Sequence, residues 1–266
     1  MRKTSLLLLF VLFAASAFSQ TADEVINKFI EASGGKDKLN AINTLQYNQL
    51  IVVKSPMGNI DIPIQYYKEK NKFYRMQANL NLAGQFMKFF TVVSDSAGYV
   101  MLPALPMLGT DGGLKKLNES ERKLQAYQLD AAGYFAGLVD YAAKGSKVEL
   151  LKDEKVNNED NFKLKLTMNT GQSLTYFINK STGLVTRVDT QGDMAASMSG
   201  MGGMMGGAGG QMDKMAVSAF YSDYKDFNGV KFPLKVVMKT QMGESESTIT
   251  NVRINEAIEP RLYKPE

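Results

Sequence analysis

The chain has 266 residues and a formal net charge of +4, and it contains no His, no Cys and no Trp. Without Cys it can form no disulfide, and without His it lacks the imidazole base that the usual serine and cysteine hydrolases need near neutral pH. The same two absences exclude zinc sites built on His or Cys, and so small a net charge gives no electrostatic footprint for nucleic acid. Asp and Glu are scattered without a glycosidase-like motif and are interpreted as surface charge. We therefore expect a binding role, with no catalysis, no cofactor and no metal.

Residues 1–19 have the pattern of a secretory signal peptide. Arg2 and Lys3 form a basic start, residues 6–13 are an unbroken apolar run, and small residues lead to a cleavage site after Ser19. The apolar run is too short to span a bilayer, which disfavours a retained anchor. No Cys lies near the cut, so the lipid anchor of a lipoprotein cannot be attached. The sequence predicts an exported, periplasmic chain that begins at Gln20, with its net charge lowered to about +2 by the loss of Arg2 and Lys3.

The predicted mature chain, 20–266, reads as one β-rich domain that opens with a helix. Thr21 and Glu24 have the spacing of a capping box, and apolar residues then recur at helical spacing until Ser33-Gly34-Gly35. A second short helical piece covers residues 36–42. From Thr44 onward the apolar period changes to two, which predicts short antiparallel strands. The predicted strands are 44–54, 60–67, 73–80, 85–93, 99–102, 148–152, 162–168, 174–178, 184–190, 216–224, 230–240 and 247–254.

A Gly- and Pro-containing loop at 103–118 interrupts the strands at the midpoint of the chain. The longest helical pattern follows it, from Glu119 to Ala143, and Lys144-Gly145 would end that helix. The loop and helix either plug the open end of a sheet or form a mobile lid. The fold class expected from these patterns is mainly β (α+β), a large curved antiparallel sheet with helices over one face.

The strand predicted at 85–93 is apolar on both of its faces. Phe86, Phe90 and Val92 alternate with Met87, Phe89 and Val93. Either the strand is central and covered on both sides, by helices or by a partner chain, or one of its faces lines a hydrophobic cavity. The sequence leaves both explanations open.

The segment from Met194 to Met215 is a low-complexity mixture of Met and Gly. Gly carries a large entropic cost of ordering and the segment has no stable period, so we expect a flexible insertion. Two alternatives remain open, because thioethers are soft and adaptable. The segment could be an apolar flap over a lipid or protein client, or Met198, Met201 and Met204 could coordinate Cu(I).

The C-terminal third of the chain resembles the outer-membrane lipoprotein-sorting superfamily, the carriers of the Lol type. The matching stretches are YSDYKDFNGVKFP at 221–233, VRINEAI at 252–258 and LYKP at 262–265. Residues 22–35, Leu39, Ile42 and the strand from Leu45 are similar too. The chain departs from the typical carrier by its greater length and by the Gly/Met segment, and no position matches the arginine that locks the lid of the carriers.

This resemblance implies an incomplete antiparallel barrel with an inserted lid helix, around an apolar cavity that shields acyl chains from the aqueous periplasm. The ligand would be a lipid or the acyl chains of a lipoprotein. An envelope protein partner and peripheral contact with a membrane are also compatible with it. The residues expected to line the cavity are Ile62, Ile64, Tyr66, Tyr74, Met76, Met87, Phe89, Leu105, Met107, Leu164, Leu166 and Tyr176.

Two other classes of protein compete with the carrier hypothesis. In the first, the doubly apolar strand is a subunit interface of an envelope interaction module that holds no small ligand. In the second, the strands form an integral outer-membrane barrel, but too many of them present Lys or mixed polar faces for contact with lipid.

Overall fold

The computed structural model describes residues 20–54, 58–82, 85–104, 111–198, 215–241 and 243–265. The predicted signal peptide and the apolar loop residues Leu105 and Met107 lie outside these ranges. The chain begins with helix α1 (Ala22–Ala32) and helix α2 (Lys36–Asn40). No helix in the described ranges is long and apolar enough to cross a membrane.

The predicted capping box at the start of α1 is confirmed. The Thr21 hydroxyl accepts a hydrogen bond from the Glu24 N–H at 3.2 Å, and the Glu24 carboxylate accepts one from the Thr21 N–H at 2.8 Å. These bonds satisfy backbone donors that the first turn of a helix leaves without partners. The helix then buries the face that carries Val25, Ile26, Phe29 and Ile30.

All strands of the described chain form one antiparallel sheet of thirteen strands. Neighbours across it run in the order β6-β5-β4-β3-β2-β1-β13-β12-β11-β10-β9-β8-β7, so the first and last strands pair in the middle and β6 and β7 are free edges. The strands are β1 (Thr44–Val53), β2 (Ile60–Glu69), β3 (Phe73–Leu82), β4 (Gln85–Ser94), β5 (Gly98–Leu102), β6 (Gly113–Lys116), β7 (Lys147–Val156), β8 (Glu159–Thr167), β9 (Ser173–Asn179), β10 (Val185–Gln191), β11 (Ala216–Phe227), β12 (Val230–Thr240) and β13 (Gly243–Ile254).

The predicted fold class is confirmed. Most neighbouring strands of the antiparallel sheet are consecutive in sequence, and the sheet does not close into a barrel. Strand β6 departs from the prediction, because its four exposed residues fall in the predicted loop at 103–118. Such a short edge strand needs no apolar face, because its side chains are exposed to water. It also presents few unpaired backbone groups with which another chain could pair.

The prediction of one long helix from Glu119 to Ala143 is wrong. The structure has a short helix, α3 (Glu119–Gln125), and two single 3₁₀ turns at Ala126–Leu129 and Ala136–Leu138. Asp130 accepts a hydrogen bond from the Ala132 N–H, which offers the backbone an alternative to helical pairing. Gly133 then adopts a φ of +87°, outside helical space. We call residues 119–146 the crossing segment, because they pass over one face of the sheet.

We call the face under the crossing segment the inner face of the sheet and the opposite one the outer face. On the inner face, α1 and the crossing segment pack together through the edge-on rings of Phe29 and Phe135, 6.1 Å apart. Beyond the C-terminal strand, a 3₁₀ turn at Pro260–Tyr263 covers part of the outer face, where it packs against Phe90 and Phe73.

Strand β4 is covered on both faces by its own chain over residues 89–93. Phe90 and Val92 lie on the outer face under the C-terminal 3₁₀ turn, whereas Phe89 and Val93 lie on the inner face in a cluster that includes Leu129. Of its large apolar side chains only Phe86, at the start of the strand, is strongly exposed, at 74%. The double apolar pattern therefore marks a buried central strand.

The first residues of the Gly/Met segment are ordered, which corrects the expectation of a flexible insertion for that part. Gly192–Met198 forms helix α4, with Met194 only 2% exposed and Ala195 fully buried. Met215 at the other end is buried as well. Residues 199–214 lie outside the described chain, so the copper hypothesis, which needs Met201 and Met204, stays a prediction.

Candidate functional site

A cavity of about 360 Å³ lies between the inner face of the sheet and the crossing segment. Its walls come from both halves of the sheet, from the crossing segment and from α4. The lining residues are Tyr47, Gln49, Tyr66, Lys68, Asn71, Tyr74, Ala126, Tyr127, Gln128, Asp130, Tyr134, Phe135, Ala136, Gly137, Lys144, Ser146, Leu166, Met168, Asn169, Thr170, Gln172, Leu174, Tyr176, Val188, Met194, Met198, Tyr221, Val236 and Met238.

Aromatic contacts hold the walls of the cavity in place. Tyr47 and Tyr66, on neighbouring strands, stack with their ring centroids 4.6 Å apart. From the crossing segment, Tyr134 meets Tyr221 edge-on at 5.6 Å and Phe135 meets the same ring at 4.8 Å. Edge-to-face and offset-stacked rings are favourable geometries for aromatic pairs. The crossing segment is thus fixed over the sheet by ring contacts that leave space beside them.

Six tyrosine hydroxyls in the lining have no hydrogen-bond partner among the described residues, those of Tyr47, Tyr66, Tyr74, Tyr134, Tyr176 and Tyr221. No side-chain oxygen or nitrogen of the described chain is both fully buried and unpaired. Each of these hydroxyls therefore reaches open space, which for lining residues is the cavity. Burial raises the pKa of every one of the six phenols, so all stay protonated and able to donate.

Lys68 is the buried cation of the cavity, with only 9% of its surface exposed. It occupies the inward position of β2 beside Tyr74, its cross-strand partner, and its ammonium lies 5.7 Å from the centre of that ring. Its Nζ donates to the backbone oxygen of Asp130 at 3.2 Å. Burial lowers the pKa of Lys68 to about 8, with the nearby charge of Lys144 adding to the effect and that of Asp130 opposing it.

Lys68 lies beside exposed residues of the lining, and we call this end of the cavity its mouth. The Asn71 N–H donates to the backbone oxygen of Leu129, and the exposed Lys144 pairs with the carboxylate of Asp130, the residue whose backbone oxygen accepts from Lys68. Lys144 also donates to the backbone oxygen of Ala136 at 2.9 Å, which ties the crossing segment to itself. The site thus has a polar mouth and an aromatic and aliphatic interior, an arrangement that suits an amphiphile.

The structure brings together four of the residues predicted to line the cavity, Tyr66, Tyr74, Leu166 and Tyr176. Leu164 lies in the main core, and five others pack together on the inner face near β4, away from the cavity. Those five are Ile62, Ile64, Met76, Met87 and Phe89. Leu105 and Met107 lie outside the described residues. Whether any of these side chains contacts a ligand stays a prediction.

Sequence reasoning missed Lys68 and four of the lining tyrosines, Tyr47, Tyr127, Tyr134 and Tyr221. Lys68 continues the inward alternation of Ile62, Ile64 and Tyr66, so a charged residue at an inward position was the available signal. Tyr134 could not be placed, because its role depends on the path of the crossing segment. Among the described residues, no group of three or more Asp and Glu could hold a metal ion.

Comparison with known proteins gives a likeness in structure alone. No protein-family model matches the chain, and no curated protein matches it in sequence. The structure is similar to that of a LolA superfamily protein from Nitrosomonas europaea, with a TM-score of 0.54 and 14% identity over 92% of this chain and 99% of the other. It is also similar to an outer membrane lipoprotein-sorting protein domain from Vibrio parahaemolyticus, with a TM-score of 0.52 and 11% identity over 91% and 97% of the two chains. The chain therefore shares the fold of these two proteins, the fold that its sequence motifs predicted.

Proposed function

We propose that this protein is an exported, periplasmic carrier or sensor that encloses a lipophilic ligand and performs no catalysis. The observation that carries the proposal is the cavity of about 360 Å³ under the crossing segment, with its aromatic and aliphatic interior. Pockets that enclose small ligands have volumes of about 300–1,000 Å³ and mostly apolar walls. The partners expected are lipids or the acyl chains of lipoproteins, and the lipoprotein-sorting fold supports that class of ligand.

The alternative, an envelope interaction module without a ligand, rested on the doubly apolar strand. That strand is covered by its own chain on both faces at residues 89–93, which removes the main reason for expecting a partner there. Phe86 is the large apolar residue of β4 that remains exposed. A single exposed ring is ordinary for a protein surface. The carrier proposal is therefore the better supported of the two.

The direct test is organic extraction of the natively purified protein, followed by mass spectrometry of the extract. We expect a lipid at a substantial fraction of one equivalent. The lipid-free protein should also bind an apolar fluorophore with saturable affinity. Absence of both would overturn the proposal.

A larger side chain at Gly137 would fill part of the cavity without removing any side chain that lines it. A Cβ at this position would lie 3.4 Å from the Tyr176 hydroxyl and 3.8 Å from Leu166 Cδ2, both ordinary contact distances. Gly137→Ala should therefore bind nearly as the natural chain does, whereas Gly137→Leu extends into the space and should abolish lipid retention. Thermal unfolding of both variants checks that the fold is intact. Undiminished binding by a folded Gly137→Leu protein would show that the ligand lies elsewhere.

A further inference from the structure

Lys68 has a charge that the described chain does not neutralise. No carboxylate of the described residues lies within 4.0 Å of its ammonium, and its hydrogen-bond acceptor there is the backbone oxygen of Asp130. The Asp130 carboxylate is engaged elsewhere, by the Lys144 ammonium and by the Ala132 N–H. The three charges of Lys68, Lys144 and Asp130 therefore sum to one positive charge at the mouth of the cavity.

A lone buried ammonium is unfavourable in an empty protein. Removing a charge from water without a paired counter-charge destabilises the folded state, which is why burial shifts the pKa of Lys68 downward to about 8. The ammonium also has three N–H groups, of which one has an acceptor within the described chain. A methionine would fill the same inward position of β2 at no such cost. The position of Lys68 thus favours a function that uses its charge.

The space next to Lys68 fits an anion that carries an apolar chain. Tyr74 lies directly across the strand pair, and Tyr66 and Tyr47 continue the wall inward from it. Their hydroxyls bond no described residue and line the same cavity as Lys68, so they add hydrogen-bond donors for an acceptor-rich head group. The cavity volume of about 360 Å³ is near the low end of the range for enclosed ligands, about 300–1,000 Å³, which suits one chain rather than several.

We infer that the ligand is a single-chain amphiphile with a carboxylate head, a long-chain fatty acid or a close analogue, whose carboxylate pairs with Lys68 while its chain lies among the tyrosines. This inference rests on the proposed function and names its substrate class. A monoanion balances the single net positive charge of the mouth. A phosphate dianion would add a second negative charge beside Asp130, whose one salt-bridge partner within the described chain is Lys144.

The test compares a fluorescent polyene fatty acid with its methyl ester on lipid-free protein at pH 7. The two probes have the same chain and differ in the charge of the head. A hydrogen bond between charged groups in a desolvated site corresponds to about a 10- to 100-fold difference in affinity. We expect the acid to bind tighter than the ester by that factor. Butyrate, which carries the head without the chain, should not displace the acid at millimolar concentration.

Three variants assign the selectivity to Lys68. Lys68→Met should lose the preference for the acid while it keeps the affinity for the ester, and Lys68→Arg should retain the preference. The matched control is Lys165→Met, which removes the same charge from the outer side of β8, next to the cavity-lining Leu166 but outside the lining. It should bind both probes as the natural chain does.

The outcomes separate this inference from the proposed function. If the acid and the ester bind the natural chain equally, the carboxylate site is overturned while the apolar carrier stands. If neither probe binds, both fail together. If butyrate displaces the acid, the site recognises a small anion and the requirement for a chain is wrong. A preference that survives in folded Lys68→Met protein would remove Lys68 from the site, even though selectivity exists.

Discussion

The inner face of the sheet contains two regions that differ in how their side chains pack. Around β4, side chains such as Ile64, Met76 and Phe89 interdigitate in a closed cluster. Toward the middle of the sheet, tyrosines surround an open cavity. The sequence patterns predicted lining residues in both regions, and four of those residues, Tyr66, Tyr74, Leu166 and Tyr176, border the cavity that the structure shows.

The difference follows from the shape and chemistry of the side chains. Aliphatic chains and Phe have no polar atoms to satisfy, so they close over each other until the packing is dense. The ring of a tyrosine is rigid and ends in a polar hydroxyl. When the ring is buried, that hydroxyl must form a hydrogen bond or lie in accessible space. The six lining tyrosines whose hydroxyls bond no described residue therefore surround an open space. In this sheet, tyrosine hydroxyls without a described hydrogen-bond partner on the inner face locate the cavity better than the number of apolar residues does.

The largest effect is expected in the packed region, from Phe89→Ala. The side chain is 6% exposed, so truncation removes buried surface and leaves a void among its neighbours. We expect a loss of about 3–5 kcal/mol in the free energy of unfolding, measured by urea denaturation.

The control for that variant is the same change on the same strand, Phe86→Ala. Phe86 is 74% exposed, so the free energy of unfolding should change by no more than about 0.5 kcal/mol. Equal effects at the two positions would contradict the dense packing of Phe89 in the cluster on the inner face.

At the cavity, the substitution Lys68→Met is expected to raise the free energy of unfolding of the lipid-free protein, in contrast to Phe89→Ala, which lowers it. Burial lowers the pKa of Lys68 from 10.5 to about 8, so the charged form destabilises the folded state below pH 8. At pH 7 the free energy of unfolding of the variant should therefore exceed that of the natural protein by about 1–3 kcal/mol. The gain is smaller than the pKa shift alone implies, because the backbone oxygen of Asp130 loses its hydrogen-bond donor in the variant.

The pH dependence of this difference follows from linkage. Between pH 8 and 10.5 the unfolded chain retains the proton on Lys68 that the folded chain has released, so the stability of the natural protein rises with pH. The charged groups that face Lys68 are Asp130 and Lys144, and both are common to the two proteins. The advantage of Lys68→Met should therefore be constant below pH 8 and shrink above it. An advantage that grows above pH 8 would contradict the buried ammonium.

The smallest expected effect is a difference in the free energy of unfolding between Tyr→Phe variants at two positions of strand β11. The Tyr224 hydroxyl donates to the backbone oxygen of Val185 at 2.6 Å, so Tyr224→Phe should lower the free energy of unfolding by about 1 kcal/mol. Tyr221 opens to the cavity and bonds no described residue, so Tyr221→Phe should change it by less than about 0.5 kcal/mol. Urea denaturation of both variants measures the difference, and a larger loss at Tyr221 would show that its hydroxyl has a partner.

Much of the fold could be predicted, because it depends on local patterns. The capping box at Thr21 and the period of two along β1 to β4 identified the elements, and motif resemblance identified the open antiparallel sheet. The site was only partly predictable. Tyr66 and Tyr176 were placed by strand alternation, but Tyr134 and Phe135 lie in the crossing segment, where a helix was predicted and tertiary packing produced 3₁₀ turns instead.

The sequence by itself determined which side chains point inward, since alternation along a strand sets the face of each residue. It also determined the residue types available for chemistry, with neither His nor Cys among them. The tertiary structure decided where the inner face is closed and where it stays open, because that depends on how the crossing segment and α4 lie over the sheet. It also decided that Lys68 meets the backbone of Asp130, 62 positions away in the chain, at the mouth of the cavity. Contacts so distant in sequence leave no local pattern, and they are fixed only when the segments pack.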